Sequence, residues 1–525
     1  MRRLWLAPAA GLLAAWCCGA AESYRVAGTI VNSETGAPLT RAQIEVTKAG
    51  SSVAVTRQVT GTDGRFSFDL PQGKYDLHGG PRDTLEMYGR RAADNTVASA
   101  VITGPGQDTA NLIFKWFPTG GISGKIVDEN GEPVENALVQ LVRSTVTVGQ
   151  RVTNTFAWAR SDDRGEYRFG RLVASTYYLA VTGRPWYATA VGYATETNPS
   201  AVAFRPVYYP NSLDKRHAGS LRLKSGEEYR ADFTLQTVLG GTLKITYENP
   251  QGLSGNVGLV MDGIGASDGF ERQETILPGS QIFSAVPTGH YLVHIVGTQN
   301  GAPVFVNQPV DVGGGDLQIK VSPLPAPDVT GTIQMKNATM RPRGTVVVRL
   351  LNISTRAISP AAMHSDGTFS FPRVTPGKYR ILLAGADGYF ASEIRVEGAE
   401  YRNGVVDLTA GSATVLHIVA SDQTGRVEGF AMRNGQPAEG MLVLLAPQSD
   451  EPTALQAHGF QTDSDGSFDY RDIPAGDYFL FAVADSQIEY ADREAIRRYF
   501  AGATRVHLEA HGSVSERIET TTPIR

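Results

Sequence analysis

The sequence predicts an all-β protein: a tandem array of about five transthyretin-like or Ig-like antiparallel β-sandwich domains. Three observations predict it. A turn-and-strand phrase recurs five times, a second phrase opens each copy, and the openings fall at steps of 96, 117, 90 and 98 residues. Units near that length, built of short alternating strands between Gly and Pro turns, carry the sandwich pattern.

Taken in chain order, the first element is a leader. Arg2 and Arg3 precede the apolar run Leu4 to Trp16, and small residues Gly19, Ala20 and Ala21 follow. That is the pattern of a secretory signal peptide (1–21), and the apolar run is too short to span a bilayer. Both cysteines, Cys17 and Cys18, lie inside it. Lipoprotein anchoring at either is disfavoured by the bulky Trp16 where a lipobox has a small residue. The mature chain then has no thiol, so disulfides, thiolate metal sites and cysteine nucleophiles are excluded together. The expectation is a secreted, periplasmic or cell-surface protein with no transmembrane segment after leader removal.

Five units follow: 22–118, 119–238 with an aromatic-rich insertion, 239–325 (divergent), 326–423, and 424–525 with a short helix. The opening phrase reads GTIVNSETGAPLTRAQIEV at 28–46, GKIVDENGEPVENALVQL at 124–141 and GFAMRNGQPAEGMLVLL at 429–445. GTLKI (241–245) and GTIQM (331–335) keep only its beginning. The second phrase has the form D-G-x-[FY]-x-F followed by P-x-G-x-Y-x-[LIV]. It stands at 62–77, 162–179, 278–293, 365–381 and 464–480, and its first Gly precedes its Tyr by 12 residues in four copies. Asp-Gly makes a tight turn, alternating aromatics put their rings on one strand face, and Pro-x-Gly leads into the next strand. Each unit closes with an alternating run: 110–114, 231–235, 317–321, 413–419 and 515–519. One helix is predicted, over 491–500, with Asp492 near its start and Arg497 and Arg498 near its end. The stretch 208–219 stands at the corresponding place in the second unit.

These two phrases resemble the carboxypeptidase regulatory-like domain, a transthyretin-like β-sandwich related to the starch-binding-like fold, repeated here as in exported bacterial proteins. The resemblance implies an accessory domain and not a hydrolase: none of the nine histidines is followed three residues later by Glu, as a carboxypeptidase zinc site requires.

Other chemical motifs find no supporting context. Gly265-Ala-Ser267-Asp-Gly269 matches G-x-S-x-G but sits in a polar glycine-rich stretch without the strand and helix of a nucleophile elbow. His290 and His294 share a strand, where four residues span about 13 Å, too far for one metal. No cofactor is implied. Calcium at Asp463 and Asp465 is the alternative to a plain turn; a turn accounts for all copies, calcium for one or two. The formal net charge of −5, without basic clusters, points away from nucleic acid.

The aromatic insertion is the most distinctive feature. Residues 156–209 hold 12 of the 45 Phe, Trp and Tyr residues. Of these, Trp158, Trp186, Tyr187, Tyr193, Tyr208 and Tyr209 lie in or beside loop-like sequence and are the candidate carbohydrate- or partner-binding residues; the competing reading places them in a small core of the insertion. The sequence therefore leads to an exported, non-catalytic interaction or scaffold protein of the cell envelope, with an unidentified protein or polysaccharide partner. Carbohydrate binding through the second unit is the first alternative, and accessory domains of a hydrolase or receptor system the second.

Overall fold

A computed structural model describes residues 22–522, except 92–97, 148, 186–201, 262–269, 337–345, 354–356, 373, 386–387, 403, 410–412, 450–456 and 486. The leader, and with it Cys17 and Cys18, lies outside the described residues. So do Trp186, Tyr187, Tyr193 and the G-x-S-x-G stretch.

The described chain is almost entirely β, as the repeats predict. Contacts divide it into two compact units, the smaller comprising, of the described residues, 22–31, 37–88 and 100–114. In that unit, strand Ser23–Asn32 lies between Arg65–Pro71 and Leu112–Trp116, and a second sheet is built on Gln43–Lys48 and Gly73–Gly80. Val26, Ile30, Ile44, Val46, Phe66, Phe68 and Tyr75 are buried.

The larger unit repeats this two-sheet plan. Opening strand Gly120–Asp128 is flanked by Glu166–Leu172 and, in parallel, by Glu228–Arg230 and Phe233–Leu235. Strand Thr424–Arg433 likewise sits between Ser467–Pro474 and the parallel Ser513–Glu519. The facing sheets are built on Leu138–Thr147 paired with Ser175–Thr182, and on Leu442–Pro447 paired with Gly476–Val483. Separate cores form around Ile122, Leu141 and Phe233; Leu243, Phe283 and Val293; Val329, Phe369 and Leu416; and Val427, Phe468 and Leu480.

Three features of the repeated phrases now have physical reasons. The first Gly of the turn phrase has positive φ in every copy: +66° at Gly64, +74° at Gly165, +87° at Gly279, +84° at Gly367 and +78° at Gly466. The preceding carboxylate accepts a backbone N–H two residues on where the Asp is present, Asp366 from Thr368 at 2.9 Å and Asp465 from Ser467 at 3.0 Å. The Tyr hydroxyl donates to the carbonyl four residues earlier in all five copies: Tyr75 to Pro71, Tyr177 to Val173, Tyr291 to Pro287, Tyr379 to Thr375 and Tyr478 to Pro474, at 2.6–3.1 Å. This bond ties each buried ring to the turn before its own strand. The opening Gly is a close-approach position: a Cβ at Gly124 would lie 1.8 Å from the Ala231 carbonyl oxygen, and one at Gly429 1.8 Å from that of Glu516.

The predicted helix is shorter than its sequence pattern. It runs Arg493–Arg497, with Asp492 accepting the Glu494 N–H, and is followed by a 3-10 turn at Phe500–Gly502. A strand falls at an unexpected place: Val202–Phe204, within the insertion of the second unit, pairs antiparallel with Thr237–Leu239 at the start of the next opening strand. The second and third sandwiches are thus joined by a hydrogen-bonded strand as well as by the chain.

Candidate functional site

A cavity of about 470 Å³ lies where that strand joins the two sandwiches. One wall is the outer face of the second unit's sheet, where Leu138, Arg160 and Thr182 stand in one cross-strand row. Period-2 alternation puts them there, since Val139, Ala159 and Val181 point the other way into the core. The other wall is Leu259, Met261, Arg272, Val286 and Tyr291 of the next sandwich, and Arg184 and Ala203 lie at the joint.

Arg272 is the best-fixed charge in this cleft. Its Nη1 donates to the Ser284 carbonyl at 2.5 Å, Nη2 lies 3.4 Å from Glu274, and the guanidinium packs over Phe283 at 5.3 Å. Its Nε is buried with no partner. Burial, and then the nearby Arg184 charge, bring its pKa down to about 10. Burial pushes the Tyr291 hydroxyl above the ordinary tyrosine range. Arg160 donates to the Asn136 carbonyl at 3.3 Å. Among the described residues neither Arg160 nor Arg184 has a carboxylate at ion-pair distance. Three cations among the described residues therefore share one partly apolar cleft with Glu135 and Glu274 as the local acids.

The aromatic candidates are dispersed by the fold. Trp158 is 44% exposed on strand Gln150–Arg160. Phe156, equally exposed, is two residues before it and lies under the Arg143 guanidinium at 4.5 Å. A depression of about 250 Å³ at Phe156 is lined also by Arg143, Thr145, Thr147 and Asn154. Tyr208 is only 5% exposed, because strand Val207–Tyr208 pairs with Ala180 and Val181. Tyr209 packs on the core, and its hydroxyl shares a 2.8 Å hydrogen bond with that of Tyr229. That bond, then burial, raises its pKa to about 12. Tyr208 is taken up in packing, and Tyr209 is half-buried against the core. Trp158 and Tyr208 stand at opposite ends of one cross-strand row on the outer face, separated by Gln140 and Ala180.

Asp463 and Asp465 belong to the tight turn. Asp463 is 4% exposed and takes the Ser467 hydroxyl at 3.4 Å, and Asp465 takes the Ser467 N–H. Among the described residues no three His, Cys, Asp or Glu side chains gather as a metal site. His290 and His294 pair instead with Asp311 and Asn307 on the neighbouring strand.

Residues 121–236 match the carboxypeptidase regulatory-like domain. No curated protein matches the chain. Among solved structures, the Bacillus anthracis TIE protein is 12% identical, covering 71% of each chain at a TM-score of 0.18. A streptococcal ancillary pilin is 12% identical over 58% of this chain and all of its own, at 0.19. The shaft pilin SpaA from Lactobacillus rhamnosus GG is 14% identical over 41% of this chain and 98% of its own, at 0.21. The matched family is the regulatory-like domain and not the zinc hydrolase, in keeping with the histidine spacing.

Proposed function

We propose that this chain is an exported, non-catalytic interaction scaffold of the cell envelope, built from five sandwich modules. The observation that carries the reading is the fivefold tyrosine-to-turn bond. Each module locks its own core by the same device and commits its recurrent polar groups to holding turns. What varies between modules is the outer surface, and that is where binding is placed.

Fractionation of cells producing the full chain tests the reading, together with N-terminal sequencing of the product. The expected product starts after Ala20 or Ala21 and is found outside the cytoplasm. A cytoplasmic product with its leader intact overturns the exported role, and turnover in a broad hydrolase screen overturns the non-catalytic one.

A second reading, carbohydrate binding, is favoured by Phe156, 44% exposed in a depression lined by threonines and Asn154, and by Trp158, equally exposed on the same strand. Exposed rings with neighbouring hydroxyl and amide groups suit the faces and edges of sugars. Retention on insoluble polysaccharide that is lost in Trp158→Ala supports it; passage of the parent protein through every glycan tested removes it.

A further inference from the structure

We propose that the cleft between the second and third sandwiches is a binding site for a carboxylate carried on an apolar body, with Arg160, Arg184 and Arg272 as its cationic side. The inference goes beyond the scaffold reading and does not depend on where the protein resides.

Charge is the first argument. The exposed Arg184 and the largely buried Arg272 raise each other's energy, and the burial of Arg272 weakens screening of its charge. Glu274 offsets Arg272 in part at 3.4 Å, and the remaining positive potential is offset by an anion in the cleft. Arg272 is held by Ser284 and Phe283 and cannot swing out to solvent without losing both contacts, so its charge is preorganised. Arg160 and Arg184, with free donors and no acid partner among the described residues, supply the planar forks that fit a carboxylate.

The second argument is shape. About 470 Å³ is ample for a small organic ligand, and Leu138, Leu259, Met261, Val286, Pro287 and the Tyr291 ring give it apolar walls. Such walls favour a ligand with one charged end over inorganic phosphate, whose second charge would be desolvated there and face Glu135. The Tyr291 hydroxyl is already committed to the Pro287 carbonyl and serves as wall, not donor.

The test titrates the purified full chain with 2-naphthoate, followed by the ligand's own fluorescence, against the neutral 2-naphthamide and inorganic phosphate. Naphthoate is expected to bind at least about tenfold more tightly than the amide, as a site built to pair a charged group rejects the analogue lacking it. Arg184→Gln, an exposed position, is expected to remove most of that preference while leaving amide binding and the melting temperature unchanged. Arg160→Gln is expected to act in the same direction. Equal binding of acid and amide, absence of naphthoate binding, or an unchanged preference in Arg184→Gln overturns the proposal. Displacement of naphthoate by phosphate at equal or lower concentration overturns the choice of carboxylate. None of these outcomes bears on cellular location, so failure here is distinguishable from failure of the scaffold reading.

Discussion

The second and fifth sandwiches put the same backbone to different uses on the outer faces of corresponding sheets. In the fifth, strand Leu442–Pro447 is buried on both sides: Val443 and Leu445 face the core, while Leu442 and Leu444 meet Phe481, Val483, Ile496 and Tyr499 on the outside. The capped helix and the 3-10 turn form that cover, with Phe479 stacked on Phe500 at 4.4 Å and Phe481 on Tyr499 at 5.6 Å. In the second, the equivalent outer row is Leu138, Gln140, Ala180 and Thr182; Tyr208 and Ala218 pack with Ala180 and Leu138, Gln140 and Ala180 are fully buried, and Leu138 and Thr182 are half-exposed. One sheet is sealed. The other is covered at Gln140 and Ala180 and opens at its end, where Leu138, Arg160 and Thr182 line the arginine-bearing cleft.

The strongest way to break this comparison is to charge the seal. Ile496 is 1% exposed, and Ile496→Asp buries an unpaired carboxylate among Leu444 and Phe481. A loss of about 4 kcal/mol or more is expected in the fifth sandwich, measured by denaturant unfolding. In contrast, Arg160→Gln on the open face of the second should leave stability within about 0.5 kcal/mol. Similar losses from both would show that the second face is as tightly covered as the fifth.

The shared skeleton predicts a shared, intermediate effect. Tyr478→Phe and Tyr177→Phe each strand the carbonyl that the hydroxyl satisfies, Pro474 at 2.6 Å and Val173 at 2.9 Å, beneath rings that are fully buried. Each is expected to cost about 1–2 kcal/mol. A neutral result in either would mean that the repeated Tyr is kept for its ring alone.

A smaller effect separates the two insertions. Asp492 caps the helix through the Glu494 N–H at 3.0 Å, so Asp492→Ala is expected to lose about 1 kcal/mol and to loosen the packing of Tyr499 and Phe500. Near-ultraviolet circular dichroism of those stacked rings reports the second part. An unchanged spectrum would place the helix among elements held by packing alone.

The repeat skeleton was legible in the sequence because each part answers a backbone demand: positive φ at Gly64 or Gly466, close approach at Gly124, a ring and hydroxyl at Tyr177 or Tyr478. The seal on the fifth sandwich also leaves a trace, since the run Leu442 to Ala446 is continuously apolar where the second unit has Gln140. Strands covered on both faces read that way. The cleft left none. Arg160, Arg184 and Arg272 are far apart along the chain, come from two sandwiches, and converge through the pairing of Val202–Phe204 with the next unit. Tyr208 and Tyr209 misled for the same reason: the flanking Pro and Gly look like loop, while the strand pairing that buries Tyr208 is long-range.

The finest test uses pH. Asp214 precedes the 3-10 turn Lys215–His217 in the second insertion, and its carboxylate accepts the Arg216 guanidinium at 2.8 Å and the Arg216 N–H at 2.9 Å. Those bonds from Arg216 hold its pKa well below the usual carboxylate range. A folded pKa below the unfolded one means that the unfolded chain takes up the proton first as acid is added. The stabilisation is therefore complete above about pH 4, the ordinary aspartate value, and is lost as pH falls through the depressed folded value. Carboxyl NMR titration should show the depressed pKa, and Asp214→Asn should flatten the acid limb of local amide exchange at Arg216 and His217. Because the site is exposed, salt should weaken the effect, whereas the stacked cover over the fifth sandwich should hold from low salt to high. An Asp214 that titrates at the ordinary value would show that this insertion is ordered by its pairing with the sheet and owes nothing to its charges.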